Sequence, residues 1–393
     1  MPRELVATAP RTPVLREYEE PALGEGQVRI RTEFASPKHG TELVGYRDEP
    51  AANRPYDPAL GAVMPITEEG RGRRFPMRLG NMAVGVVTET GPGVTRFKVG
   101  DRVFGHLPIR ETHTVDETHV DPMPEGLSDE AAVCLDPVVM ALAMRDAEIR
   151  LGDHVAVFGM GAIGLFAIQL ARQAGADFVI AVDPIAHRRE VALGLGADVA
   201  LNPVAEGDAG LAIRRMTGWR GAANTPPSPG RTRVRGGYWE EVSQTGQLGV
   251  DVAVEVSGSS RALHDAIRAT RFGGTICVLS FYGRDAAGLH LGEEFHVNRL
   301  KLVSARSQSL PLRDAPAWNL ARFVDVSLAW LASGRLRTEG IVWPIVSFGE
   351  SVEAYRAIDE RPEQSIKLGI RFPYRNGARL DGHGDSPAPA ADA

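Results

Sequence analysis

HVAVFGMGAIGLFAIQLARQAGADFVIAVDP, residues 154–184, decides the fold. Two runs in it, Val155–Phe158 and Val179–Val182, are continuously apolar, as in parallel strands buried on both faces. Between them Gly159-Met160-Gly161-Ala162-Ile163-Gly164 fits G-x-G-x-x-G. The motif follows one strand, opens a helix, and is answered by Asp183 at the end of the next strand, the context that gives this short pattern its meaning. Gly159 permits the tight turn, Gly161 lets a pyrophosphate approach the backbone, and Gly164 lets helix and strand pack closely. The helix N-terminus then offers unpaired N–H groups and a positive dipole end to the phosphates.

Asp183 can accept hydrogen bonds from adenosine ribose hydroxyls, and its charge repels a ribose 2′-phosphate, so the motif favours NAD(H) over NADP(H). Arg188 and Arg189 argue the other way, since arginines can bind that phosphate, although a solvated or adenine-covering place on the following helix suits them better. The expected cofactor set is Gly159, Met160, Gly161, Ala162, Ile163, Gly164, Asp183 and Arg188. Ser257 and Phe281 join it from later strand ends, flanking the nicotinamide.

Outward from this core the alternation continues. DVAVEVSG (251–258) reads as a strand, SRALHDAIRAT (260–270) as a helix and GGTICVLSFYG (273–283) as a strand, implying a parallel sheet covered on both sides. Upstream, the texture is β-rich. QVRIRTEF (27–34) alternates like a half-buried strand, and AVGVVTETGPGVTRFKVGDRVFG (83–105) predicts two strands around Gly-Pro-Gly and then a third.

The 393 residues are too many for one ordinary core, so two domains are expected. A net charge of −6 gives no pull toward nucleic acid or an anionic membrane. The short arginine patch Arg71–Arg74 reads as a solvated loop. Only two cysteines, Cys134 and Cys277, exclude a disulfide framework and a four-thiolate zinc site. No signal-like segment opens the chain and no apolar run is long enough to span a bilayer, so the cytoplasm is the expected location. Residues 217–247, rich in Pro, Gly and Arg, read as an insertion: a disordered excursion, or a lid or oligomer contact anchored by Trp219, Tyr238 and Trp239. The segment 376–393 reads as a disordered tail.

With these stretches together, AAVCLDPVVMALAMRDAEIRLGDHVAVFGMGAIGLFAIQLARQAGA (131–176) included, the chain resembles the medium-chain dehydrogenase/reductase superfamily, in its zinc alcohol and polyol dehydrogenase group, from about Leu5 to Phe372. The resemblance implies an α/β fold: a GroES-like β-barrel catalytic domain over 1–145, a Rossmann doubly wound parallel sheet over 146–303, and a return to the catalytic domain over 304–375. It also implies a homodimer or homotetramer acting on a small-molecule substrate.

The family's catalytic zinc ligands are replaced here. His39, in His39-Gly40-Thr41-Glu42, stands where a thiolate is usual. Gly80-Asn81-Met82 stands in place of Gly-His-Glu, and Asp136, in LDPVV, in place of Cys or Glu. His39 and Asp136 supply two donors and Asn81 a poor third, so no metal is expected. The chemistry then needs a proton acceptor and a group to polarise the substrate oxygen. His39, oriented by Asp136 and titrating near neutrality, is the first candidate, and Lys38 the competing acid/base. Thr41 matches the family's relay hydroxyl, with Val44 where a relay histidine is common. Tyr46 and Asn81 are expected in the substrate pocket, with Glu42 holding the loop.

The reading that follows is a zinc-independent NAD(H)-dependent oxidoreductase interconverting a secondary alcohol, of polyol, sugar or cyclitol type, and a ketone. Alternatives are a C=C reductase, an epimerase or eliminase with tightly held NAD, and a non-catalytic dinucleotide-binding protein.

Overall fold

The computed structural model describes residues 1–65, 75–217, 248–283, 285–375 and 378–379. The arginine patch, nearly all of the insertion with Trp219, Tyr238 and Trp239, and most of the tail lie outside them. The insertion's two ends are joined: the Gly249 N–H donates to Thr217 Oγ1 at 2.9 Å.

The N-terminal region is antiparallel. It contains β1 (Arg3–Ala9), β2 (Thr12–Glu17), β3 (Gln27–Ser36), β4 (Met82–Thr90), β5 (Arg102–Gly105) and β6 (Thr112–Asp116). Long β3 is the spine: it pairs with β4 on one side, with β6 along its first half and with the chain's last long strand near its end. Of the three strands expected within 83–105, the first and last form as β4 and β5 and the middle one does not. Residues 94–99 instead make a turn in which the Glu117 carboxylate accepts the N–H groups of Thr95 and Arg96, while Phe97 enters the core.

Two helices prepare the junction. α1 (His39–Tyr46) follows Pro37, and α2 (Leu135–Leu142) begins with Asp136 in its first turn. The motif region then follows with β7 (His154–Phe158), α3 (Ala162–Ala174), β8 (Phe178–Val182), α4 (Ala186–Gly194), β9 (Val199–Leu201), α5 (Ala209–Met216), β10 (Val250–Glu255), α6 (Ser260–Ala269), β11 (Thr270–Val278) and β12 (Lys301–Ser304). Its strands form a six-stranded, all-parallel sheet of order β9-β8-β7-β10-β11-β12, the doubly wound arrangement. Alternation explains the continuous apolar runs: Val155, Val157, Val179 and Val254 face one buried cluster, while Ala156, Phe158, Ile180 and Val182 face another.

The chain returns through α7 (Leu320–Ala332), β13 (Val342–Ser347), α8 (Ser351–Glu360) and β14 (Lys367–Arg371). β14 runs antiparallel to β3 and parallel to β13, which carries its first residues to the start of α1. One cluster joins both halves: Phe34, Met82 and Phe104 of the β region share it with Leu135 and Val138 of α2 and Leu165 and Ile168 of α3. α2 is thus packed between the two domains, with Asp136 at its start. Among the described residues no helix is long and apolar enough to cross a membrane.

Candidate active site

The glycine turn is built as its residue types require. Gly159 sits at φ +101°, where a Cβ would lie 2.9 Å from Ser257, and a Cβ on Gly164 would lie 1.8 Å from the Gly159 carbonyl oxygen. A Cβ on Gly161 would meet nothing within 4 Å. Two of the glycines are therefore demanded by packing, whereas the third faces open space, as a phosphate-approach position should.

Asp183 accepts the Met160 N–H at 2.7 Å through one carboxylate oxygen and the Ile185 N–H at 2.8 Å through the other. It holds the turn as well as offering its remaining lone pairs to a ribose. Arg189 donates to the Asp183 carbonyl at 2.8 Å. Arg188, expected in a solvated or adenine-covering place, is only 17% exposed at its side chain. It lies 4.0 Å from Asp183 and donates to the carbonyls of Pro362 and Ser365 at 2.8 and 2.7 Å, linking the nucleotide domain to the chain's return segment. The His187 ring packs on Trp343 at 4.5 Å along the same seam.

At the next strand end sits a residue the sequence reading passed over. Glu255, fully buried, accepts the Ser257 N–H at 2.7 Å and the Ser280 hydroxyl at 2.6 Å, together with the hydroxyls of Ser257 and Tyr282. The cage ties the loop after β10 to the loop after β11. Burial and the adjacent carboxylate push the Tyr282 hydroxyl well above its ordinary range, so it stays a donor. Phe281, beside the cage, is 54% exposed at the cleft end of β11. The signal for Glu255 was a lone carboxylate ending an apolar strand.

The α1 loop is held from several sides. Glu42 accepts the Tyr355 hydroxyl at 2.6 Å, the Gly80 N–H at 2.9 Å and the Lys38 N–H at 3.3 Å. Burial raises its pKa despite those bonds. Thr41 is exposed on the first turn of α1. Tyr46 corrects an expectation: it is fully buried, edge-on to Tyr355 at 5.0 Å, in the β-domain core. As an aromatic on the inward face of a short helix, it serves packing, not the pocket. Asn81 donates its backbone N–H to Ser36, while its amide nitrogen is buried with no hydrogen-bond partner among the described residues.

His39 and Asp136 do not form the expected pair. The Leu368 N–H of β14 donates to His39 Nε2 at 3.0 Å, which makes that nitrogen the acceptor and puts the ring proton on Nδ1. Burial, with the charges of Lys367 and Arg188 nearby, lowers the His39 pKa from 6.5 to about 3. An imidazole so placed is neutral at physiological pH and is a weak base, contrary to the expectation of near-neutral titration. Asp136 instead holds Lys38: Nζ to Oδ1 is 3.1 Å, with side chains 23% and 14% exposed. Lys38, ranked second from the sequence, is thus the side chain that Asp136 faces.

Lys367, also unforeseen, is 4% exposed on β14 and donates to the Pro37 carbonyl at 3.1 Å. Burial lowers its pKa, while Cys134, Asp136 and Glu42 oppose that shift. Its signal was a single lysine in the apolar strand SIKLGI (365–370). Cys134 and Cys277 are free and buried, their thiols pushed up to about 12 by burial, so neither is a nucleophile.

Comparison with known proteins agrees with this architecture. Residues 24–167 match the family model of the alcohol dehydrogenase GroES-like domain, and residues 162–316 that of zinc-binding dehydrogenase. The chain is 40% identical over 378 residues to D-guloside 3-dehydrogenase of Escherichia coli (strain K12), covering 94% of this chain and 100% of the relative. It is 28% identical over 316 residues to (R,R)-butanediol dehydrogenase of Bacillus subtilis (strain 168), covering 72% and 77%. The crystal structure of 2R,3R-butanediol dehydrogenase from Bacillus subtilis has the same fold, with a TM-score of 0.67 at 23% identity over 94% of this chain and 99% of that one.

Proposed function

The chain belongs to the medium-chain dehydrogenase/reductase superfamily, and on that premise we propose that it oxidises a secondary ring hydroxyl of a hexoside to a ketone, with NAD as hydride acceptor and the Lys38–Asp136 pair managing the hydroxyl proton. The substrate class is drawn from the similarity to D-guloside 3-dehydrogenase, which spans that relative's whole length. The observation that carries the mechanism is the 3.1 Å contact between Lys38 and Asp136, the latter at a position where the resemblance would put a zinc donor.

Zinc does not suit this donor set. The carboxylate of Asp136 already faces an ammonium, His39 Nε2 already receives a backbone N–H, and the Asn81 amide is a weak ligand. A dication here would have to displace Lys38 and break the His39–Leu368 bond. The reading is therefore metal-free at this centre.

The nicotinamide, when bound, supplies the hydride acceptor. The glycine turn and Asp183 hold the dinucleotide, and the Glu255 cage fixes the two loops flanking its reactive end. Lys38 works on the substrate oxygen: it takes the hydroxyl proton, and the ammonium so formed stabilises the developing alkoxide charge. In the reverse direction the ammonium returns that proton. Asp136 keeps Nζ aimed, and the unpartnered Asn81 amide is available to a neighbouring hydroxyl. His39 acts as a neutral strut between α1 and β14. An apolar C=C substrate would leave this charged pair without a partner.

The test is turnover of methyl hexosides, gulosides among them, by chelator-treated protein with NAD+ and with NADP+. Ketone formation with NAD+ that survives chelation, and is lost in Lys38→Met, is expected. Zinc bound between His39 and Asp136 that activity requires, or full activity of Lys38→Met, would overturn the proposal.

A further inference from the structure

Away from the cleft, the nucleotide domain carries three metal-ligating side chains that neither the fold nor the reaction uses. His264 projects from α6, while His290 and Glu293 lie on the segment leading from β11 to β12. The ring centroids of His264 and His290 are 5.0 Å apart, and His290 Nδ1 is 3.2 Å from Glu293 Oε1. One ligand atom from each of the three lies within 4.8 Å of the others, the one such convergence of His, Cys, Asp or Glu groups among the described residues. His264 Nδ1 is buried and has no hydrogen-bond partner among them. A buried, unpaired ring nitrogen facing a second imidazole calls for an explanation.

We propose that His264, His290 and Glu293 form a site for a divalent transition-metal ion of the zinc type. Two imidazoles and a carboxylate are donors that zinc accepts, leaving a fourth position to water. Tetrahedral donors on bonds of about 2.0–2.1 Å stand roughly 3.3 Å apart. The His290–Glu293 spacing already matches, and both side chains are exposed. The neighbouring cation Arg268 is offset by Asp208 at 3.1 Å and Glu294 at 3.5 Å, while Arg261 donates to the Gly207 carbonyl. None of the three ligands comes from the Lys38–Asp136 centre, so this site is independent of that chemistry. A bound ion would staple the chain leaving the Ser280–Tyr282 loop onto α6, fixing the far side of the segment that the Glu255 cage holds.

The experiment uses tag-free full-length protein, stripped with chelator and then titrated with Zn2+ by calorimetry, with bound zinc counted after equilibrium dialysis. One equivalent at micromolar affinity and a thermal midpoint that rises with zinc are expected. His290→Ala and Glu293→Gln should each weaken binding at least about tenfold, with circular dichroism unchanged. His39→Gln should retain the equivalent. No bound zinc in the parent protein, an equivalent untouched in both exposed-site variants, or one lost in His39→Gln would overturn the assignment. Because His290 and Glu293 are exposed, their variants decide the matter even where His264→Ala fails to fold.

Discussion

The glycine turn and the α1 loop both carry a family motif, yet they differ in what the motif specifies. At the turn, residue types are set by the backbone: Gly159 has a positive φ, and Gly164 leaves no room for a Cβ. At the α1 loop the backbone shape is kept, but what each side chain does depends on partners far away in sequence. Lys38 meets Asp136 ninety-eight residues on, and His39 meets Leu368 three hundred and twenty-nine residues on. Steric demands are local and readable; the pairing of polar side chains is a tertiary outcome.

The sharpest way to break this contrast is within the turn. Gly164→Ala should cost more than about 4 kcal/mol and leave little folded nucleotide domain, because the obstacle is backbone. Gly161→Ala should fold normally by denaturant titration yet bind NAD at least about tenfold more weakly, since its Cβ enters the ligand's space. Equal stability of the two variants would collapse the distinction.

Next comes the pair at the loop. Lys38→Met should reduce kcat by roughly 10²- to 10³-fold without loss of folded protein, whereas His39→Gln should change it only a few-fold. The reverse ranking, measured in steady state under saturating NAD+, would restore the histidine as base and refute the assignment of roles.

A smaller effect is expected at Glu255. Glu255→Gln keeps the shape but gives the hydroxyl cage a neutral acceptor, which should lower stability by about 1–3 kcal/mol and raise KM for NAD more than it lowers kcat. An unchanged melting curve would mean the cage is dispensable.

The smallest is linkage at His39. Its folded pKa, about 3, lies below the ordinary 6.5, so the unfolded chain binds the extra proton in that window. Its contribution is complete above pH 6.5 and is lost as pH falls toward 3, at no more than about 1.4 kcal/mol per pH unit. Stability curves of His39→Gln at pH 7 and pH 5 should therefore converge relative to the parent. Parallel curves would show the ring titrating normally.

Much of the architecture was legible. Apolar runs at 155–158 and 179–182, the glycine spacing between them and Asp183 foretold the parallel sheet and its glycine turn. The strand expected around residues 94–99 failed because Glu117 takes up its N–H groups. Tyr46 was read as a pocket residue because it is a polar neighbour of His39 and Thr41 along the chain; only the packing of Tyr355 against it reveals a core position. Arg188 was given a solvated or adenine-covering place in the cofactor set, since nothing in its helix announces the carbonyls of Pro362 and Ser365.

By itself, then, the amino-acid order determined where strands and helices alternate, which glycines the turn cannot replace, and that His39, Asn81 and Asp136 stand where the resemblance would put zinc donors. Those features follow from φ/ψ limits, side-chain periodicity and residue chemistry, all of which act over a few neighbouring positions. Tertiary structure alone decided that Asp136 faces Lys38, that β14 donates a backbone N–H to His39 and that His264 meets His290. Hydrogen bonds and desolvation depend on which groups the completed fold brings within about 3 Å, and residues hundreds of positions apart carry no local record of that meeting.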